Sequence, residues 1–95
     1  MLANRTSHAA VALGDGRVLI LGGQNMVGDS LSSSEIYSPP TRSFTAGPAL
    51  ATPRTMHTAT MLRDGTVLVI GGFRTSGGTQ TWLGTAEIVE LRAGQ

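Results

Sequence analysis

The sequence predicts an all-β chain built from two successive copies of one antiparallel, four-stranded unit, the second lacking its last strand. Three observations carry this. A turn–strand–glycine block occurs twice, as Asp15-Gly16-Arg17-Val18-Leu19-Ile20-Leu21-Gly22-Gly23 and as Asp64-Gly65-Thr66-Val67-Leu68-Val69-Ile70-Gly71-Gly72. The apolar runs are short, rich in β-branched residues and bounded by glycine or proline, as strands are. The thirteen glycines are locally clustered, which marks tight turns rather than a flexible linker.

Displaced by 49 positions, the chain matches itself at Arg5, Thr6, His8, Ala10, Leu13, Asp15, Gly16, Val18, Leu19, Gly22 and Gly23, paired with Arg54, Thr55, His57, Ala59, Leu62, Asp64, Gly65, Val67, Leu68, Gly71 and Gly72. After the double glycine the offset becomes 52, where Glu35-Ile36 meets Glu87-Ile88. The three extra residues fall in a Gly/Thr-rich segment that a loop can absorb. A period near 50 residues belongs to stacked repeats and propeller blades.

Within one unit, residues 8–13 are small and apolar, and the following Gly14-Asp15-Gly16 makes them a strand entering a hairpin. Residues 18–21 are apolar without alternation, the pattern of a strand covered on both faces. Residues 24–32 are polar and predict a loop. Residues 34–37 alternate and predict a third strand, stopped by Pro39-Pro40. Residues 42–45 predict a weak fourth strand, ended by Gly47-Pro48. Four short strands in about 49 residues match a propeller blade. Ala9, Ala10 and Ala12, with Thr58, Ala59 and Thr60 in the second copy, suit the narrow innermost strand of such a blade. The expected units are residues 1–49 and 50–95. Residues 73–85 are expected to be a long loop.

Composition bounds the function. The chain is 40% hydrophobic and 14% charged, which argues against disorder. All seven basic residues are arginines, scattered over a chain of net charge +1, so no basic face supports nucleic-acid binding. Cysteine is absent, which removes disulfides, thiolate metal sites and cysteine nucleophiles. No apolar run reaches the length of a membrane span, residues 1–5 do not resemble a signal peptide, and nothing fixes a compartment.

The blocks resemble the kelch repeat. The first copy carries Arg5-x-x-His8, Asp15-Gly16-Arg17-Val18, Gly22-Gly23, Glu35-Ile36-Tyr37 and the aromatic Phe44. The second keeps Arg54-x-x-His57, Asp64-Gly65, Gly71-Gly72 and Glu87-Ile88, but has Val89 where the family usually has Tyr, and it reaches Gln95 without a fourth strand. The resemblance implies kelch-type β-propeller blades, normally six or seven to a ring, of which fewer than two complete ones are present here. Such a pair would leave apolar faces uncovered. The expectation is therefore a piece of a larger propeller, needing the rest of that propeller or further copies of the chain.

Residues that repeat with the fold are expected to be structural: His8, Gly22, Gly23, Tyr37, His57, Gly71 and Gly72. Asp15 and Asp64 belong to their turns, and Glu35 and Glu87 to the third strands. No catalytic residue, metal site or cofactor is expected, and no carboxylate pair, nucleophile elbow or phosphate loop can be nominated. The non-repeating segments remain as the binding face, with Asn25, Asp29, Arg74, Thr79, Gln80 and Trp82 as candidate residues. Trp82, the single Trp, lies in a polar segment, and aromatics and Arg are typical interface anchors. Its alternative role is packing over its own loop. The predicted function is a non-enzymatic scaffold binding protein or carbohydrate, with no nucleic acid or membrane partner. The alternative is a fragment of a propeller similar to the galactose-oxidase-like copper enzymes. Those need a Tyr cross-linked to Cys, which a chain without cysteine cannot supply.

Overall fold

The computed structural model describes residues 4–91. The outer ends of the two expected units, residues 1–3 and 92–95, lie outside the described residues. Among the described residues the regular structure is entirely strand, and no helix is long and apolar enough to cross a membrane.

The first unit is a four-stranded antiparallel sheet in sequence order: β1 (Ala9–Ala12), β2 (Val18–Leu21), β3 (Ser34–Ser38) and β4 (Ser43–Ala46). Its register pairs Val11 with Leu19, Leu19 with Ile36, and Ile36 with Thr45. The second unit is a three-stranded sheet of β5 (Thr58–Met61), β6 (Val67–Ile70) and β9 (Ala86–Val89). Its pairs Thr60–Leu68 and Leu68–Ile88 reproduce the register of the first unit at the 49- and 52-residue offsets. The sequence placed these strands to within a residue or two of their observed ends.

Residues 73–85 differ from expectation. They hold a second hairpin, β7 (Phe73–Ser76) and β8 (Thr79–Trp82), separate from the main sheets. Gly77 and Gly78 both take positive φ, 57° and 85°, the two-residue turn whose twist matches paired strands. The flanking threonines favour an extended backbone. The three additional residues of the second copy therefore extend a hairpin rather than slacken a loop.

Because side chains alternate across a strand, each sheet has two distinct faces. The front face of the first unit carries Val11, Leu19, Leu21 and Ile36; its back face carries Val18, Ile20, Glu35, Tyr37 and Phe44. In the second unit the front holds Thr60, Leu68, Ile70 and Ile88, and the back holds Val67, Val69, Glu87 and Val89. The core forms where the front of the first unit meets the back of the second. Val11, Leu13, Leu19, Leu21, Ile36 and Leu50 bury against Val67, Val69 and Val89. Burying each such side chain contributes on the order of 1.5–3 kcal/mol. This accounts for the unbroken apolar runs: β2 and β6 each have a face for their own neighbour on either side.

Candidate functional site

Each unit is tied together by one buried arginine. Arg5 donates from Nε and Nη2 to Glu35 Oε2 at 3.1 and 2.8 Å, and from Nη1 to the carbonyls of Gly22 and Ser33. Arg54 meets Glu87 through Nε alone, at 3.2 Å, and donates from Nη1 to the carbonyls of Gly71 and Thr85. The hydroxyls of Ser33 and Thr85 each take a further bond from the guanidinium. Both arginine side chains are almost fully buried. A planar fork of donors suits this task, since it satisfies a carboxylate and two strand-end carbonyls at once. Arg5 and Arg54 are functional to the fold, and the sequence marked them only as members of the repeat. The expected structural glutamates are their partners.

The two histidines of the repeat part company. His57 is buried, and its Nε2 lies 2.9 Å from the Leu21 carbonyl of the first unit. Burial pushes its pKa below the usual 6.5, against the opposing pull of the Leu21 bond. Among the described residues its Nδ1 has no partner. His8, at the equivalent position, is exposed. Tyr37 lies half-buried against Phe44 of the neighbouring strand, their ring centroids 4.8 Å apart.

Asp15 and Asp64 serve their turns. Asp15 accepts from the Arg17 amide at 3.1 Å and from its guanidinium at 2.8 Å. Asp64 accepts from the amide and hydroxyl of Thr66. These bonds hold both carboxyls below their usual 3.8.

At the opposite end of the sheets, the β2–β3 loop and the β7–β8 hairpin meet. Asn25 Oδ1 accepts from the amides of Val27 and Asp29 at 3.1 and 3.0 Å, closing a turn with Met26 and Val27 exposed at its tip. Asp29 accepts from the Gly77 amide at 3.1 Å. The Ser30 amide donates to the Thr75 carbonyl, and the Thr75 amide donates back to Ser30 Oγ, both at 2.8 Å. Ser30 also meets Thr55 Oγ1 at 2.6 Å. The loop of the first unit is thereby stitched to β7 of the second.

The nominated residues fall into three groups on this end. Asn25 and Asp29 build and fasten the turn. Arg74 and Thr79 stand on one face of the hairpin, where a groove is lined by Thr52, Arg74, Ser76, Thr79, Thr81 and Leu83. Gln80 and Trp82 stand on the other face. Trp82 meets Phe73 edge-on at 5.2 Å, yet it remains 74% exposed, so the contact with its own hairpin leaves most of the indole free. All four residues of β8 are exposed. Among the described residues, no three of His, Cys, Asp and Glu stand together in a way that could hold a metal ion.

The family model described as Kelch motif matches residues 5–51, from the first anchoring arginine to just past the first sheet. No curated protein matches the chain. The second unit repeats the arginine anchor, strand register and double glycine of the matched stretch.

Proposed function

This is a kelch-repeat chain, and on that premise we propose that it is a non-enzymatic binding scaffold working within a larger assembly of such units. Its ligand is a protein segment held at the end formed by the β2–β3 loop and the β7–β8 hairpin. The observation that carries this reading is β8. It is an exposed strand with a largely uncovered tryptophan, and β7 is already taken up by the Ser30 segment. An exposed strand edge presents backbone donors and acceptors to an extended peptide. Trp82 supplies the large apolar contact that anchors such interfaces, and Arg74 supplies a cation. The hydroxyl-rich groove beside Arg74 favours a carbohydrate as the second reading.

Selection of peptides from a random display library on the folded chain tests the proposal, with a glycan array run in parallel. Selected peptides should lose at least about tenfold in affinity on Trp82→Ala, as hot-spot truncations of about 1.4 kcal/mol or more do. They should keep their affinity on Arg63→Ala, at the far end of the sheets. Peptides indifferent to Trp82 and Arg74 would overturn the reading, and glycan capture sensitive to Arg74 would replace it with the second.

A further inference from the structure

The junction between the two units is made of unlike halves, and each half recurs, open, on the far side of the other unit. The front of the first unit is closed by the back of the second, and Ile36 there is fully buried. Among the described residues the front of the second unit has no such cover: Ile70 is 48% and Ile88 52% exposed. The back of the first unit is open in part: Ala10 and Ala12 are exposed and Val18, Tyr37 and Phe44 half-buried, while Ile20 and Glu35 on the same face are buried.

Finer marks of the junction are split in the same manner. Inside the molecule, His57 reaches the Leu21 carbonyl, and its ring lies so close to Gly22 that a Cβ there would stand 2.7 Å from His57 Cε1. At the open front the equivalents of Leu21 and Gly22 are Ile70 and Gly71. A Cβ on Gly71 would meet only the Leu83 carbonyl, at 3.9 Å. The seat for a histidine is present and empty. At the open back, His8 is exposed and among the described residues has nothing to reach.

We propose that the chain associates with a second copy of itself head to tail, the open front of one copy's second unit receiving the open back of the other copy's first unit. In this contact His8 of one copy bonds to the Ile70 carbonyl of the other, as His57 does to Leu21 within the chain. A second copy is the occupant because each molecule carries both halves of an interface it already forms internally. The contact carries no penalty for an unpaired charge, since the Glu35 carboxylate on the back face is already met by Arg5 at 2.8 Å. A head-to-tail contact between unlike faces continues from copy to copy, as a ring where the rotation closes and as an open chain where it does not. The inference rests on the reading that these units work in a larger assembly, and it is independent of the loop face.

Sedimentation velocity of the full chain across a concentration series tests it, with two variants at exposed positions, Ile88→Asp on the front and Ala10→Arg on the back. The unaltered chain should sediment as a multiple of 9.8 kDa. Each variant alone should be monomeric. An equimolar mixture of the two should give a one-to-one dimer, through the intact front of one and the intact back of the other. His8→Ala should weaken association by about fivefold, the equivalent of one hydrogen bond of ~1 kcal/mol. Circular dichroism checks that each variant is folded; Thr60→Arg and Ala12→Arg replace any that is not. An unaltered chain that stays monomeric into the hundred-micromolar range overturns the proposal. So does association that survives both variants, or a mixture that remains monomeric, which would mean that like faces pair. Peptide binding at Trp82 by a chain that stays monomeric would leave the loop-face reading standing while this one fails.

Discussion

Arg5 and Arg54 hold their units by closely similar bonds, yet His8 and His57, three residues further along in each, have opposite surroundings. The arginine side chain reaches only within its own unit, so its bonds exist in both copies, although the Arg54 backbone also pairs with Gly23 and Leu31 of the first unit. The histidine reaches across to the preceding unit, so its environment exists only where that unit is present. The same division runs through the sheets. Leu21 and Ile36 are buried by the second unit, whereas their equivalents Ile70 and Ile88 face outward. Contacts within a unit are therefore set by the repeat, and contacts between units by position in the array.

The strongest test of the within-unit half is Arg54→Met. It leaves Glu87 with only the Ala51 and Thr52 amides and takes the guanidinium donor from the Gly71 and Thr85 carbonyls, of which Thr85 keeps the Gly71 amide. The expected loss is about 3–5 kcal/mol in urea denaturation at fixed protein concentration. Arg54→Lys should recover only part of it, because an ammonium cannot span carboxylate and carbonyls together. Equal losses for the Lys and Met variants would show that the fork geometry is unimportant.

Next in size is the pair Gly22→Val and Gly71→Val. Both glycines have positive φ, 63° and 69°, so each variant incurs about 1–3 kcal/mol of backbone strain. Only Gly22 adds a collision, since its Cβ would lie 2.7 Å from the Arg54 carbonyl as well as from His57. Gly22→Val should destabilise clearly more. Equal effects would mean that Gly71 is also covered in solution, which head-to-tail association would produce.

The pH dependence is smaller. The His57 pKa is lower folded than unfolded, so between the two values the unfolded chain binds more protons and stability rises with pH. Stability is full above about 6.5, the ordinary value, and declines as pH falls through the folded one. His57→Gln should flatten that slope. The smallest effect on stability belongs to Trp82→Ala. It removes an edge contact with Phe73 worth about 0.5–1.5 kcal/mol from a side chain that is mostly solvated. A larger loss would place Trp82 in the fold rather than at the binding end.

Much of this was legible in the residues. The strands follow from apolar runs between turn formers, and the register follows from the 49-residue offset. The β7–β8 hairpin was legible too. Gly77-Gly78 between Ser76 and Thr79 is a two-residue turn, with β-branched Thr75, Thr79 and Thr81 beside it, but within the repeat the segment has the form of an insertion. The arginine anchors were visible as repeated residues and not as ion pairs. Arg5 meets Glu35 across 30 positions and Arg54 meets Glu87 across 33, and no local spacing encodes such a pairing.

The sequence by itself determined what depends on neighbours along the chain: strand, turn, double glycine, and the recurrence that makes two units of one kind. Only the tertiary structure decided what depends on neighbours across it. It stitched the Ser30 loop to the hairpin and divided the hairpin's polar and aromatic residues between two faces. It buried one histidine and left its twin in solvent. Periodicity fixes the backbone's local conformation, whereas burial requires a second surface, and which surfaces meet is settled by the packing of whole sheets.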